Sequence, residues 1–253
     1  MPQTPEQLRQ AVELYLDELP LHAALGTLAE PVRYALGGKR VRPVLCLAAA
    51  EAAGGELARV MPAAAAVELV HSFSLVHDDL PALDDDALRR GLPSVWAAYG
   101  EASAILAGDA LLAEALRLAL RCGGEVAAEL LEATLEMIGG QQQDLEGGHD
   151  LAELHRHKTG ALFCASVMCG LKAAGLAPEL QPPWRAFAAE LGLLFQVVDD
   201  ILDGDGFVAE VGETQARQLA EEAAARASAR LDEFDADTSV LAEIVAALAA
   251  RTA

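Results

Sequence analysis

The sequence predicts an all-α fold, a large helical bundle whose central helices carry acidic ends. Ala, Leu and Glu dominate the chain, and such residues lose little freedom in a helix. Aromatic residues make up only 4% of it, and runs rich in Val, Ile and Thr are scarce, which disfavours sheet. Several apolar stretches, His71 to Val76 and Leu191 to Val198 among them, show no wide polar face, the mark of helices buried mid-bundle. No linker or low-complexity tract divides the chain, and 53% hydrophobic content can build a sizeable core. Residues 1–253 therefore read as one domain.

The first helix begins with a capping threonine, Thr4, then Pro5 at the first helical position and Gln7 completing a capping box. It runs to about Leu19 and stops at Pro20. A second helix leads to Leu36 and ends at Gly37-Gly38. Helices follow over 41–53 and 57–77, separated by Gly54-Gly55, then over 94–107, 109–121 and 125–138. Gly139-Gly140 and three glutamines interrupt the pattern there. Helices over 162–174, 184–202, 215–234 and 240–250 complete it, with no strand pattern and no short-period repeat.

The net charge of −21 argues against nucleic-acid binding, which needs a basic footprint. It also repels anionic membranes. Lysine occurs only at Lys39, Lys158 and Lys172. The four cysteines, Cys46, Cys122, Cys164 and Cys169, lack paired metal-ligand spacing and read as buried free thiols. The polar N-terminal segment lacks the apolar core of a signal peptide, and no uninterrupted apolar run reaches membrane-spanning length. A cytoplasmic protein without a membrane anchor is the expectation.

Against this background two aspartate clusters stand out. His77-Asp78-Asp79-Leu-Pro-Ala-Leu-Asp84-Asp85-Asp86 and Phe195-Gln196-Val-Val-Asp199-Asp200-Ile-Leu-Asp203 each follow an apolar stretch where carboxylates are expensive unless a cation compensates them. Asp199 and Asp203, four apart, share a helix face. Asp78 and Asp84, six apart, would oppose each other on a regular helix; Pro81 should break it and return Asp84 to the side of Asp78. A solvated acidic helix end is the plainer alternative for the second cluster, while the proline-bearing spacing of the first is far less expected by chance. Two clusters aimed at one cavity would hold divalent metals that grip a diphosphate.

The cations fall close by. Arg89 and Arg90 offer planar forks suited to phosphate oxygens, or else a surface pair neutralising Asp85 and Asp86. Gly37-Gly38-Lys39-Arg40-Val41-Arg42 places Lys39 and Arg42 where a helix begins, beside glycines that admit an anion closely. His155-Arg156-His157-Lys158-Thr159-Gly160 concentrates donors before an apolar helix; its two histidines lack a convincing third zinc ligand. His71, two turns before Asp78, reads as a core histidine or a phosphate donor.

Together GGKRVRP, HDDLPALDDDALRRG, GGQQQDL, HKTG and FQVVDDILD resemble, in order, signatures of the trans-isoprenyl diphosphate synthase (polyprenyl synthetase) family, from about Leu36 to Asp203. The resemblance implies an isoprenoid synthase fold around a deep central cavity, a homodimer, and condensation of isopentenyl diphosphate with dimethylallyl, geranyl or farnesyl diphosphate. It implies that Asp78, Asp84, Asp199 and Asp203 bind three Mg²⁺ ions. Lys39, Arg42, His71 and Arg90 match residues that hold the diphosphate of isopentenyl diphosphate. Arg89, Lys158, Thr159 and Gln196 match those around the allylic substrate. Phe73, five residues before Asp78, with Ser74 beside it, resembles the chain-length stop of enzymes making farnesyl diphosphate; geranylgeranyl diphosphate is the second product.

The chain departs from the pattern after Asp203. The family's glycine-lysine loop is missing there, and no lysine follows Lys172; Arg217 is a possible substitute. A non-catalytic or partner-dependent subunit on the same scaffold, and a terpene cyclase, are the alternative readings.

Overall fold

The computed structural model describes residues 2–148 and 150–252, the side chain of Thr252 excepted. Its helices are α1 (Pro5–Asp17), α2 (Ala29–Tyr34), α3 (Val41–Ala52), α4 (Leu57–Asp78), α5 (Val95–Tyr99), α6 (Glu101–Cys122) and α7 (Gly124–Glu146). They continue with α8 (Leu151–His155), α9 (Ala161–Ala173), α10 (Gln181–Asp203), α11 (Gly206–Val211), α12 (Glu213–Asp232) and α13 (Ser239–Ala249). The expected capping box is present: the Gln7 N–H donates to Thr4 Oγ1 at 3.3 Å, and the Thr4 N–H donates to Gln7 Oε1 at 2.9 Å.

The centre of the bundle is α4, packed against α3, α6 and α9. Its run Ala63–Ala66 is fully buried, and the small side chains let α6 approach closely. Larger side chains such as Leu45, Leu69, Leu111 and Phe163 fill the space between the helices. Each of these contributes about 1.5–3 kcal/mol of burial. Contrary to the sequence expectation, α4 is long and apolar enough to cross a membrane by length and composition. Within the fold, 78% of that apolar stretch is buried, as befits a core helix.

Several elements differ from expectation. The second helix is a 3₁₀ segment, Ala23–Leu28, broken by Gly26, followed by the short α2. The segments expected at 94–107 and 109–121 divide earlier: α5 ends at Gly100, and α6 runs unbroken through Gly108. Likewise α7 passes straight through Gly139-Gly140 and the glutamines. Gly140 serves a tertiary contact there, because a Cβ at that position would lie 2.6 Å from the Lys158 nitrogen. A small antiparallel hairpin, β1 (Leu88–Arg89) with β2 (Leu92–Pro93), was not foreseen. Arg90 and Gly91, both at positive φ, form its tip, so the dipeptide acts as a mirror-image hairpin turn. All four cysteines are free; Cys46 and Cys169 are buried, Cys122 and Cys164 partly so.

Candidate active site

Two adjoining cavities open between the ends of α4 and α10. One, of about 380 Å³, is largely apolar: Phe73, Leu83, Met137, Ile138 and Leu162 line it, with Ser74, Asp78 and Lys158. The other, of about 410 Å³, is basic, lined by Lys39, Arg42, Arg89, Arg90 and Arg251 together with Glu68, Gln196 and Asp199. Arg42, His71, Leu75 and Thr159 belong to both, so the cavities meet at a shared boundary.

The first acidic wall is the C-terminal end of α4 and the turn that follows. As Pro81 predicts, the helix ends there, and the chain folds back so that the Asp84 N–H donates to the Asp78 carbonyl at 2.9 Å. Burial, partly offset by Lys158, pushes the Asp78 carboxyl up to about 6. Asp79 is buried and accepts two hydrogen bonds from Arg89, one of them from Nε at 2.9 Å. Arg89 also lies 3.3 Å from Asp86. Its guanidinium is thus already engaged by this wall, close to the neutralising alternative, although it still lines the basic cavity. Asp85 is exposed, while the Asp86 carbonyl accepts from Trp96 Nε1 at 3.0 Å.

The second wall is the end of α10. Asp199 faces the basic cavity, and burial raises its pKa, with Arg251 opposing. Asp203 follows one turn later and is exposed. Asp200 turns the other way: it is buried, accepts from Gln196 Nε2 at 2.6 Å and from the Phe207 N–H at 2.8 Å, and so ties α10 to α11.

Arg90 reaches back to the Gly37 carbonyl, which joins the hairpin tip to the loop that carries Lys39 and leads into α3 and Arg42. Arg40, in the left-handed region at φ 59°, is buried between Glu68 at 2.7 Å and Glu13 at 3.0 Å. That anchorage orients its neighbours on either side. His71 is held neutral, its pKa pushed down by burial and by Arg42 and Arg90. It meets the basic cavity as an uncharged ring. Lys158 pairs with Asp144 at 2.5 Å, which gives the acidic residue of the glutamine segment a role unseen in sequence. Lys158 and Thr159 sit in a π-helical turn, Arg156–Gly160. Such widened turns recur at functional sites because they disturb the regular pairing of backbone carbonyls.

Of the fourteen residues singled out in sequence, twelve line one cavity or both; Asp84 and Asp203 are the two that do not. Arg217, the possible substitute for the missing lysine, hydrogen-bonds Glu213 at 2.9 Å on α12 and lines neither cavity. The cation found there instead is Arg251, 3.7 Å from Asp199. Some fifty positions separate that pair in sequence, so no local pattern could have revealed it.

Among the described residues, no group of three His, Cys, Asp or Glu side chains could hold an ion by protein ligands alone. Each wall offers a pair, Asp78 with Asp84 and Asp199 with Asp203. Carboxylate pairs suit magnesium, which takes one or two protein oxygens and completes its shell with substrate phosphates and water. The Asp78 carboxyl, half-buried and raised by desolvation despite Lys158, would gain from a cation beside it, and the oxygen donors of the two pairs fit the metal.

Residues 26–244 match the sequence profile of the polyprenyl synthetase family. A geranylgeranyl diphosphate synthase of Cyanophora paradoxa is 44% identical over 193 residues, 69% of this chain and 64% of that protein. The large subunit 1 of a chloroplast heterodimeric geranylgeranyl pyrophosphate synthase of Arabidopsis thaliana is 44% identical over 224 residues, 79% of this chain and 60% of that protein. The chain thus spans less than two thirds of the length of these curated relatives. An FPP/GFPP synthase of Zymomonas mobilis superposes with a TM-score of 0.85 at 32% identity, covering 95% of each chain. With the profile spanning most of the chain, the solved structure following the same helical path, and the motif residues converging on one pair of cavities, this chain belongs to the polyprenyl synthetase family.

Proposed function

We propose that this chain is a magnesium-dependent trans-prenyl diphosphate synthase, joining isopentenyl diphosphate head to tail to an allylic diphosphate. The observation that carries the reading is the pair of adjoining cavities, one basic and one apolar, each edged by an acidic wall. The basic cavity suits the diphosphate of isopentenyl diphosphate, with Lys39, Arg42 and Arg90 as charges and His71 as a neutral donor. The apolar cavity suits the growing hydrocarbon, with the allylic diphosphate at its mouth beside Asp78 and Lys158.

Magnesium, held by Asp78 and Asp84 on one side and Asp199 and Asp203 on the other, would supply positive charge to the leaving pyrophosphate. Lys158 adds a fixed cation there once it exchanges Asp144 for a phosphate oxygen. The allylic carbon–oxygen bond breaks and pyrophosphate departs with the electron pair. The isopentenyl double bond attacks the allylic cation, and a proton then leaves to the pyrophosphate, the nearest base. Backbone carbonyls of the π turn at Lys158 and Thr159, with the Gln196 amide oxygen, would favour positive carbon. Leu75, Met137 and Leu162 exclude water that would quench it.

Two product lengths have support. The names of the curated relatives favour geranylgeranyl diphosphate. Farnesyl diphosphate is favoured by Phe73, which is buried in the apolar cavity wall and packs edge-on against His77 with centroids 5.1 Å apart. We further propose that the chain is one domain and works as a homodimer. Exposed Ile105, Leu106 and Leu120 on α6 and Leu131, Leu135 and Ile138 on the adjoining α7 support a face that a second copy covers.

The test is incubation of the purified protein with Mg²⁺, isopentenyl diphosphate and dimethylallyl, geranyl or farnesyl diphosphate, followed by product identification. A C15 or C20 prenyl diphosphate is expected. Elongation of no acceptor would sink the reading and favour the partner-dependent subunit.

A further inference from the structure

Arg40, the residue that caps α3, and Arg42, in the first turn of α3, are two residues apart and are compensated in opposite ways. Arg40 spends its guanidinium on Glu68, Glu13 and the Leu36 carbonyl. Arg42 has no carboxylate within ion-pair distance and no protein hydrogen-bond acceptor among the described residues; Glu68 and Asp199 act on it only from further off, and its Nε is buried without a partner. Its guanidinium carbon instead lies 4.5 Å from the ring centroid of Phe163 on α9 and 5.6 Å from that of Phe195 on α10. The two rings pack together, their centroids 4.5 Å apart.

An aromatic face attracts a cation through its quadrupole, occupies none of its N–H donors and contributes no net negative charge. A carboxylate in the same place would neutralise the arginine, and an incoming anion would have to break that pair. We propose that Phe163 and Phe195 are positioning residues, whose ring faces hold Arg42 as an unneutralised cation where the two cavities meet, for the diphosphate of the five-carbon substrate. The inference rests on the proposed synthase reading and deepens it: affinity for a diphosphate at this point depends on two hydrocarbon rings that never touch a phosphate.

The test measures binding of inorganic pyrophosphate by calorimetry in magnesium-free buffer, where the basic cavity acts without metal. Phe195, partly exposed at the cavity wall, is the first target, because the fully buried Phe163 risks the fold. Phe195→Leu should weaken pyrophosphate binding about tenfold, as loss of a desolvated cation–π contact implies. Phe195→Tyr, which keeps the ring face, should bind as the wild type does. Arg42→Ala should weaken binding at least as much as Phe195→Leu, and the double variant Arg42→Ala/Phe195→Leu no further than Arg42→Ala. In turnover, Phe195→Leu should raise KM for isopentenyl diphosphate while leaving KM for the allylic partner in place.

Unchanged binding in Phe195→Leu, a double variant whose losses multiply, or equal rises in both KM values would overturn the proposal and leave the synthase reading standing. A wild-type protein that binds no pyrophosphate would instead remove the synthase reading, and the proposal with it.

Discussion

The apolar and basic cavities share four residues yet handle charge in opposite ways. On the apolar side, Asp78 is a carboxyl left short of counter-charge by burial, with Lys158 drawn off to Asp144. On the basic side, the surplus is positive: Arg42 has no carboxylate within ion-pair distance, and Asp199 shares its cavity with Lys39, Arg90 and Arg251. On the proposed reading, the difference is why a metal and a doubly phosphorylated substrate would both be required. Each cavity is electrostatically incomplete, and a metal diphosphate at one with a free diphosphate at the other would complete both.

The comparison breaks most severely at the acidic walls. Asp78→Ala should lower turnover about a thousandfold, the scale of losing a principal charge stabiliser. A radiolabelled isopentenyl diphosphate assay beside a melting curve checks it, and normal activity in a folded variant would remove the metal assignment. A smaller effect is expected from acid. Because the Asp78 pKa is raised to about 6, its charged form is lost as pH falls through that value, and magnesium needs the charged form. Magnesium affinity should therefore fall by about tenfold per pH unit below 6 and level off above it. Titration at pH 5 and 7 that gave equal affinities would contradict this.

Arg251→Ala sharpens the other half of the comparison. Removing the cation beside Asp199 should raise KM for a diphosphate substrate by about twofold to fivefold, since a partly exposed ion pair contributes modestly. A KM unchanged by that substitution would leave the missing lysine loop without a replacement. The smallest change expected is in product: Phe73→Ala should lengthen the prenyl chain at similar turnover, read by mass spectrometry. An unchanged chain length would return Phe73 to ordinary core packing.

Much of this site was legible in the chain. Asp78 with Pro81 and Asp84, and Asp199 with Asp203, could be read because helical period and proline geometry act over a few residues. The basic segment at Lys39 and Arg42 was legible because cations are scarce in so acidic a chain. Arg89 shows the limit. Its proximity to aspartates was visible, but its pairing with Asp79 depended on how the hairpin folds back. Asp200 shows the same, since a tight acidic triplet hides which member turns inward to cap α11. The continuity of α7 through Gly139-Gly140 was misread because glycine is a local breaker, whereas here a neighbouring backbone requires the space.

By itself the sequence determined that this is a helical bundle with acidic ends on buried helices, because composition and periodicity are written residue by residue. It also singled out Lys39, Arg42, Arg89, Arg90 and Lys158, five of the cations that line the two cavities, but not Arg251. Only the tertiary structure decided which charges are spent and which are held in reserve. Arg40 is neutralised and Arg42 rests on two rings, though both lie in one short motif. Partners such as Glu68, Phe163, Asp144 and Arg251 come from other helices, and long-range packing, which no local spacing encodes, brings them there.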